Sequence, residues 1–98
     1  MTMFKDLLNE DLRLVILRTL NESAGYSCNE SIIHSIASKF GHSCSRDQIR
    51  TALSWLSEQG FCTLETVADI YVATITSRGV DVATGRATVP GVKRPSPK

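Results

Sequence analysis

Ser45-Arg46-Asp47-Gln48-Ile49-Arg50-Thr51-Ala52-Leu53-Ser54-Trp55-Leu56-Ser57-Glu58-Gln59-Gly60-Phe61 is the stretch that decides how the rest of the chain is read. Ser45 and Gln48 have the Ser-x-x-Gln spacing of a capping box, in which each side chain satisfies a backbone N–H of the other's residue. Ile49, Ala52, Leu53 and Leu56 then recur at i, i+3, i+4 and i+7, which aligns them on one face of a helix. Gly60 ends the run in the position where helices take a left-handed residue. The spacing predicts a helix over about 46–59.

Working back from Ser45, the short polar turn Gly41 to Cys44 follows another amphipathic run, Ile32, Ile33, Ile36, Ala37 and Phe40. Ser27-x-x-Glu30 reads as its capping box, giving a helix over about 28–40. Two capped helices across a tight turn make a helix-turn-helix. Before them, Leu12, Val15, Ile16 and Leu20 define a first helix, with Asn9 as its N-cap and Glu10 and Asp11 in its first turn. Leu14 and Leu17 broaden its apolar face beyond what one neighbour requires. Two arrangements account for that breadth: a helix at the centre of its own domain, or one that also packs on a second subunit.

Forward from Gly60, the period changes. Phe61 to Thr66 and Ile70 to Ile75 are rich in β-branched and aromatic residues, with Val67-Ala68-Asp69 as a short hairpin connection. Thr76 can cap a last helix carrying Val80, Val82 and Ala83 and stopped by Gly85. The expected fold class is α+β, a winged helix-turn-helix: three helices, a two-stranded wing hairpin and a short C-terminal helix. Residues 1–85 form the domain. Residues 86–98, with three prolines and four cations, are expected as a disordered basic tail.

The 98 residues suffice for one domain and one modest core. The net charge of +1 conceals a division: residues 1–85 carry seven basic and ten acidic side chains, a net −3, and residues 86–98 carry +4. No apolar run reaches a membrane span or a signal peptide, so a cytoplasmic protein is expected. Cys28, Cys44 and Cys62 are odd in number and widely spaced, which argues against a disulfide framework. With His34 and His42 they contain no close ligand pair, and no metal or cofactor is expected. Without a glycine-rich phosphate loop or a nucleophile beside a base, no catalytic residue is assigned and no enzyme is expected.

The stretch from Ser45 to Phe61 resembles the recognition-helix signature of ArsR- and MarR-like winged-helix regulators, a likeness extending over about residues 10–76. From Thr76-Ser77-Arg78-Gly79 through Gly91-Val92-Lys93-Arg94-Pro95, the chain resembles small ArsR-like proteins of Mu-like phages and prophages. That resemblance implies a DNA-binding transcriptional regulator. The cysteine-containing metal-sensing motif of ArsR repressors is missing from the third helix, so metal sensing does not carry over.

A helix that reads duplex DNA needs exposed polar side chains near its N-terminus. With the apolar face inward, Arg46, Arg50, Thr51 and Ser54 are the candidate readers, Ser43 and Ser45 candidate phosphate contacts, and Lys93 and Arg94 candidate tail contacts. Double-stranded DNA is then the partner, bound by a homodimer built on the first helix. Against this stand the acidic hairpin tip, with Glu65 and Asp69 and no cation, and the negative charge of residues 1–85. These favour the alternative of a winged-helix protein–protein interaction module without direct DNA binding. Trp55 is expected half-buried against the hairpin, and His34 at the surface or its boundary.

Overall fold

The computed structural model describes residues 3–96. Four α-helices and a three-stranded antiparallel sheet follow in the order α1 (Met3–Glu22), a 3-10 turn (Ala24–Tyr26), β1 (Ser27–Asn29), α2 (Glu30–Lys39), α3 (Arg46–Glu58), β2 (Cys62–Val67), β3 (Ile70–Ile75) and α4 (Ser77–Thr84). The fold is α+β. Among the described residues, no helix is long and apolar enough to cross a membrane.

α3 forms where its local signals put it. Gln48 N donates to Ser45 Oγ at 3.1 Å, and Ser45 N donates to Gln48 Oε1 at 2.8 Å, closing the capping box. Ile49, Ala52, Leu53 and Leu56 are all buried. Thr76 likewise caps α4, accepting from Gly79 N.

Three expectations are corrected. α1 begins at Met3 rather than after Asn9. Met3 to Leu8 contain no Pro or Gly to stop a helix, so the capping tendency of Asn9 gives way to continued hydrogen bonding. Ser27 does not cap α2. It lies in β1 opposite Thr74, with its Oγ 3.1 Å from the Ala73 carbonyl, and Asn29 is the cap, accepting from Ile32 N at 2.9 Å. The hairpin therefore gains a third strand: β3 is central, with β1 at one edge and β2 at the other. β2 and β3 pair from Cys62 with Ile75 to Val67 with Ile70, so the connection is only Ala68-Asp69, both at positive φ.

The core joins Leu12, Leu14, Ile16, Leu17 and Leu20 of α1 to Ile33, Ala37, Leu53 and Leu56 of α2 and α3, with Phe61, Ala73 and Val82 closing it. Leu14 and Leu17 are thus buried within their own chain, which makes α1 the central helix of the domain.

The third correction concerns the tail. Residues 86–96 lie against the domain instead of leaving it. Val92 is buried, Lys93 N donates to the Glu10 carbonyl at 3.1 Å, and Arg13 Nη1 donates to the Gly91 carbonyl at 2.9 Å. Gly91 sits so close to Trp55 that a Cβ there would approach its ring to 2.6 Å. Trp55 is half-buried, but beneath this segment and the Arg13 guanidinium, 4.0 Å from its ring, with Phe61 alongside.

Candidate functional site

Glu30, the first residue of α2, is a charged side chain inside the fold, only 1% exposed. The pairing of β1 with β3 turns it toward the first two turns of α3. Arg46 reaches its Oε2 through Nε at 3.2 Å and Nη2 at 3.0 Å. Arg50 Nε lies 2.9 Å from both carboxylate oxygens, and Tyr71 N donates to Oε1 at 2.7 Å. Arg50 also stacks over the Tyr71 ring at 4.8 Å and donates through Nη2 to the Asp69 carbonyl at the hairpin turn. One carboxylate thereby clasps α2, α3 and β3 together.

Burial alone would push the Glu30 carboxyl upward. The hydrogen bond from Arg50, supported by those from Tyr71 N and Arg46, outweighs it and holds the pKa down at about 2. The two guanidiniums keep one edge in water, with side chains 44% and 38% exposed for Arg46 and Arg50. Their charge is nonetheless opposed at contact distance.

The other expected site residues divide around this clasp. Ser45 is at the start of α3, its Oγ engaged in the capping box. Thr51 is exposed and donates to the Asp47 carbonyl at 3.1 Å, Ser54 is half-buried, and Ser43 is exposed in the turn before α3. Lys93 and Arg94 are not part of this cluster. Lys93 Nζ is 3.4 Å from Asp11 Oδ1 on α1, beside His42, whose Nε2 donates to Asp11 Oδ2 at 2.7 Å. His42 follows the C-terminal end of α2 and Glu30 begins it, so the ten residues of α2, roughly 15 Å of helix, separate the two groups. Arg94 is exposed.

The hairpin tip beside the clasp exposes Glu65 and Asp69 and carries no cation. His34 is half-buried and donates from Nε2 to the Cys44 carbonyl at 2.7 Å. The three cysteines are free, and burial pushes the Cys62 thiol up to about 11, away from thiolate chemistry.

Glu30 was missed as a site residue because the Ser27-x-x-Glu30 spacing gave it a local capping role. A signal was present in the sequence: an acid and two arginines at i and i+4 can meet wherever adjacent helices place them face to face.

A second feature lies on α1. Met3, Phe4, Leu7 and Leu8 are 72%, 71%, 55% and 45% exposed, so the first turns of the helix project apolar side chains into solvent. Farther along the same helix, a cleft of about 570 Å³ opens between α1, the end of α2 and the C-terminal segment.

The chain is 50% identical over 96 residues to the uncharacterized protein gp26 of Escherichia phage Mu, covering 98% of this chain and 99% of that protein. It belongs to the family of phage Mu gp26. An uncharacterized protein of Haemophilus influenzae is 48% identical over 96 residues, covering 97% of this chain and 93% of the relative. Both matches run through the C-terminal segment as well as the helices and sheet, and the family is a Mu-like phage and prophage family. No family model and no solved structure matches the chain.

Proposed function

We propose that this chain is a phage-encoded winged-helix module, ArsR-like in its order of elements, whose working surfaces bind protein rather than read duplex DNA. Taken as a winged helix, α3 is the recognition helix and β2–β3 the wing. The observation that carries the reading is the Glu30 clasp: both arginines that a reading helix would extend to base edges are committed to a buried carboxylate. To bond guanine with its full donor edge, either side chain must turn away from Glu30 and give up hydrogen bonds to a buried charge, a loss that offsets much of the roughly 1–3 kcal/mol a bidentate base contact returns. Glu65 and Asp69 at the wing tip repel phosphate, and Lys93 is paired with Asp11. The exposed apolar turns of α1 supply what a protein partner recognises.

Duplex binding is the second reading, in which the chain acts as a transcriptional regulator. It is favoured by the exposed edge of Arg46 beside Ser45 and Thr51 at the start of α3, with the exposed Arg94 available to phosphates. A salt titration of the full chain on random duplex DNA separates the two. The protein-binding reading expects negligible association at physiological salt and indifference to Arg46→Ala. Tight binding that weakens with salt at about 0.9 log units per phosphate contact, and that Arg46→Ala reduces, would overturn it.

A further inference from the structure

We infer that the partner of the α1 surface is a second copy of this chain, the projecting apolar turns of each α1 seating in the α1–α2 cleft of the other. This rests on the protein-binding reading above and names its partner. Phe4, Leu8, Asp11, Val15, Arg18 and Glu22 are spaced alternately four and three apart, and none of them is buried. Such a 3.5-residue repeat keeps a stripe straight along a helix that packs against another helix. Here the stripe is the outer face of α1, opposite the side that carries Ile16, Leu17 and Leu20 into the core.

The two halves of the stripe are complementary. Its first half is apolar and projecting. Residues 3–8 are all exposed, so Met3, Phe4, Leu7 and Leu8 hold a contiguous apolar surface in water. Its second half is the floor of the cleft, where Leu14 and Val15 meet Ile36 and the rim residue Phe40, with Arg18 and Lys93 at the edges. Knob and socket on one face of one helix satisfy each other only when two chains run antiparallel, which is the self-complementary contact of a two-fold dimer.

With the axis passing near Asp11, Leu7 lies opposite Val15 of the other chain and Phe4 opposite Arg18, whose aliphatic stem can cover the ring. The two Asp11 carboxylates near the axis are each already engaged by His42 and Lys93, which limits their mutual repulsion. Met3, Phe4, Leu7 and Leu8 expose roughly 500 Å² between them, within the range that marks a functional patch. The cleft lining adds to this on the same protomer, so each chain approaches the roughly 800 Å² per partner of a stable interface.

The test is sedimentation of the full chain through the micromolar range, with Phe4→Glu and Leu8→Glu as variants. Both side chains are solvent-exposed, so the thermal midpoint of the monomer reports that folding is intact. A dimer that either substitution weakens by ~30-fold or more, the size of a hot-spot loss, supports the inference. The register is tested by Leu7→Cys with Val15→Cys in a Cys44→Ser background. An intermolecular disulfide in the double variant, absent from each single variant, supports it. A chain that stays monomeric overturns the inference, as does a dimer that both glutamates leave unchanged or one that fails to form the 7–15 link. Failure here is distinct from failure of the protein-binding reading: a monomer that still ignores duplex DNA removes only the second copy as the partner, whereas DNA binding removes the reading itself.

Discussion

Replacing Glu30 by Gln removes one charge from the interior while keeping the side chain's size and an oxygen for Tyr71 N. The folded-state pKa lies near 2, against an ordinary 4.5. At about 1.4 kcal/mol per pKa unit, the ionised clasp favours the folded state by at most roughly 3 kcal/mol. The guanidiniums are partly in water and therefore partly screened, so about 2–3 kcal/mol is the expected loss in Glu30→Gln at neutral pH. For a domain of this size that corresponds to roughly 10–20 °C in thermal midpoint. The pH dependence has a definite sign. Because folding depresses the pKa, the stabilisation is complete above about pH 4.5 and disappears as the pH falls toward 2, where the native carboxyl is neutral too. Urea unfolding of both proteins at a series of pH values is the assay, and the gap between them should close across that window. Equal stability at neutral pH, or a gap that persists unchanged through the acid window, would refute the account of the clasp.

Three other perturbations address the frame around the site. Leu53→Ala, at a fully buried position of α3, should lower stability by about 2–5 kcal/mol in denaturant titration. Gly79→Ala in α4 should be costly despite alanine's helix propensity, because the new Cβ would lie 2.1 Å from the Phe61 carbonyl oxygen; a loss of ~2 kcal/mol or more in the same assay is expected, and a gain would contradict the packing of α4. Deleting residues 86–98 removes the buried Val92 and frees Trp55 and Arg13, so emission from the single tryptophan should move to the red and stability should fall by roughly 2–4 kcal/mol. Unchanged emission would mean that Trp55 is not covered by the segment.

The sequence-local features were legible because their causes are local. The Ser45–Gln48 box, the i, i+3, i+4, i+7 repeat behind it and the Thr76 cap are fixed by residues within a turn of one another, and each appears in the structure as read. The change of period after Gly60 marked β2 and β3 for the same reason. β1 was not legible, because three residues carry no alternation, and their strand character comes from pairing with β3, more than forty residues away.

That long-range pairing also decided the site. Arg50 lies outside the apolar face of α3 in a helical projection and Arg46 at its edge, three residues before Ile49 and seven before Leu53, so their place on one flank of the helix follows from sequence alone. That Glu30 meets them does not, because it depends on how α2 crosses α3 and on β1 turning the start of α2 inward. The C-terminal segment was misread for a related reason. Its prolines and cations have the composition of a disordered tail, whereas its position is set by one apolar residue, Val92, and by a glycine small enough to lie against Trp55. The sequence by itself determined which segments coil, where α2 stops, where α3 begins and ends, and which face of α3 is apolar, since those follow from residue-by-residue propensity and period. Only the tertiary structure decided that the two arginines are clasped, that Leu14 and Leu17 are interior and that the first turns of α1 stand free, because each depends on the surface a distant element presents and on how much of a helix that surface is wide enough to cover.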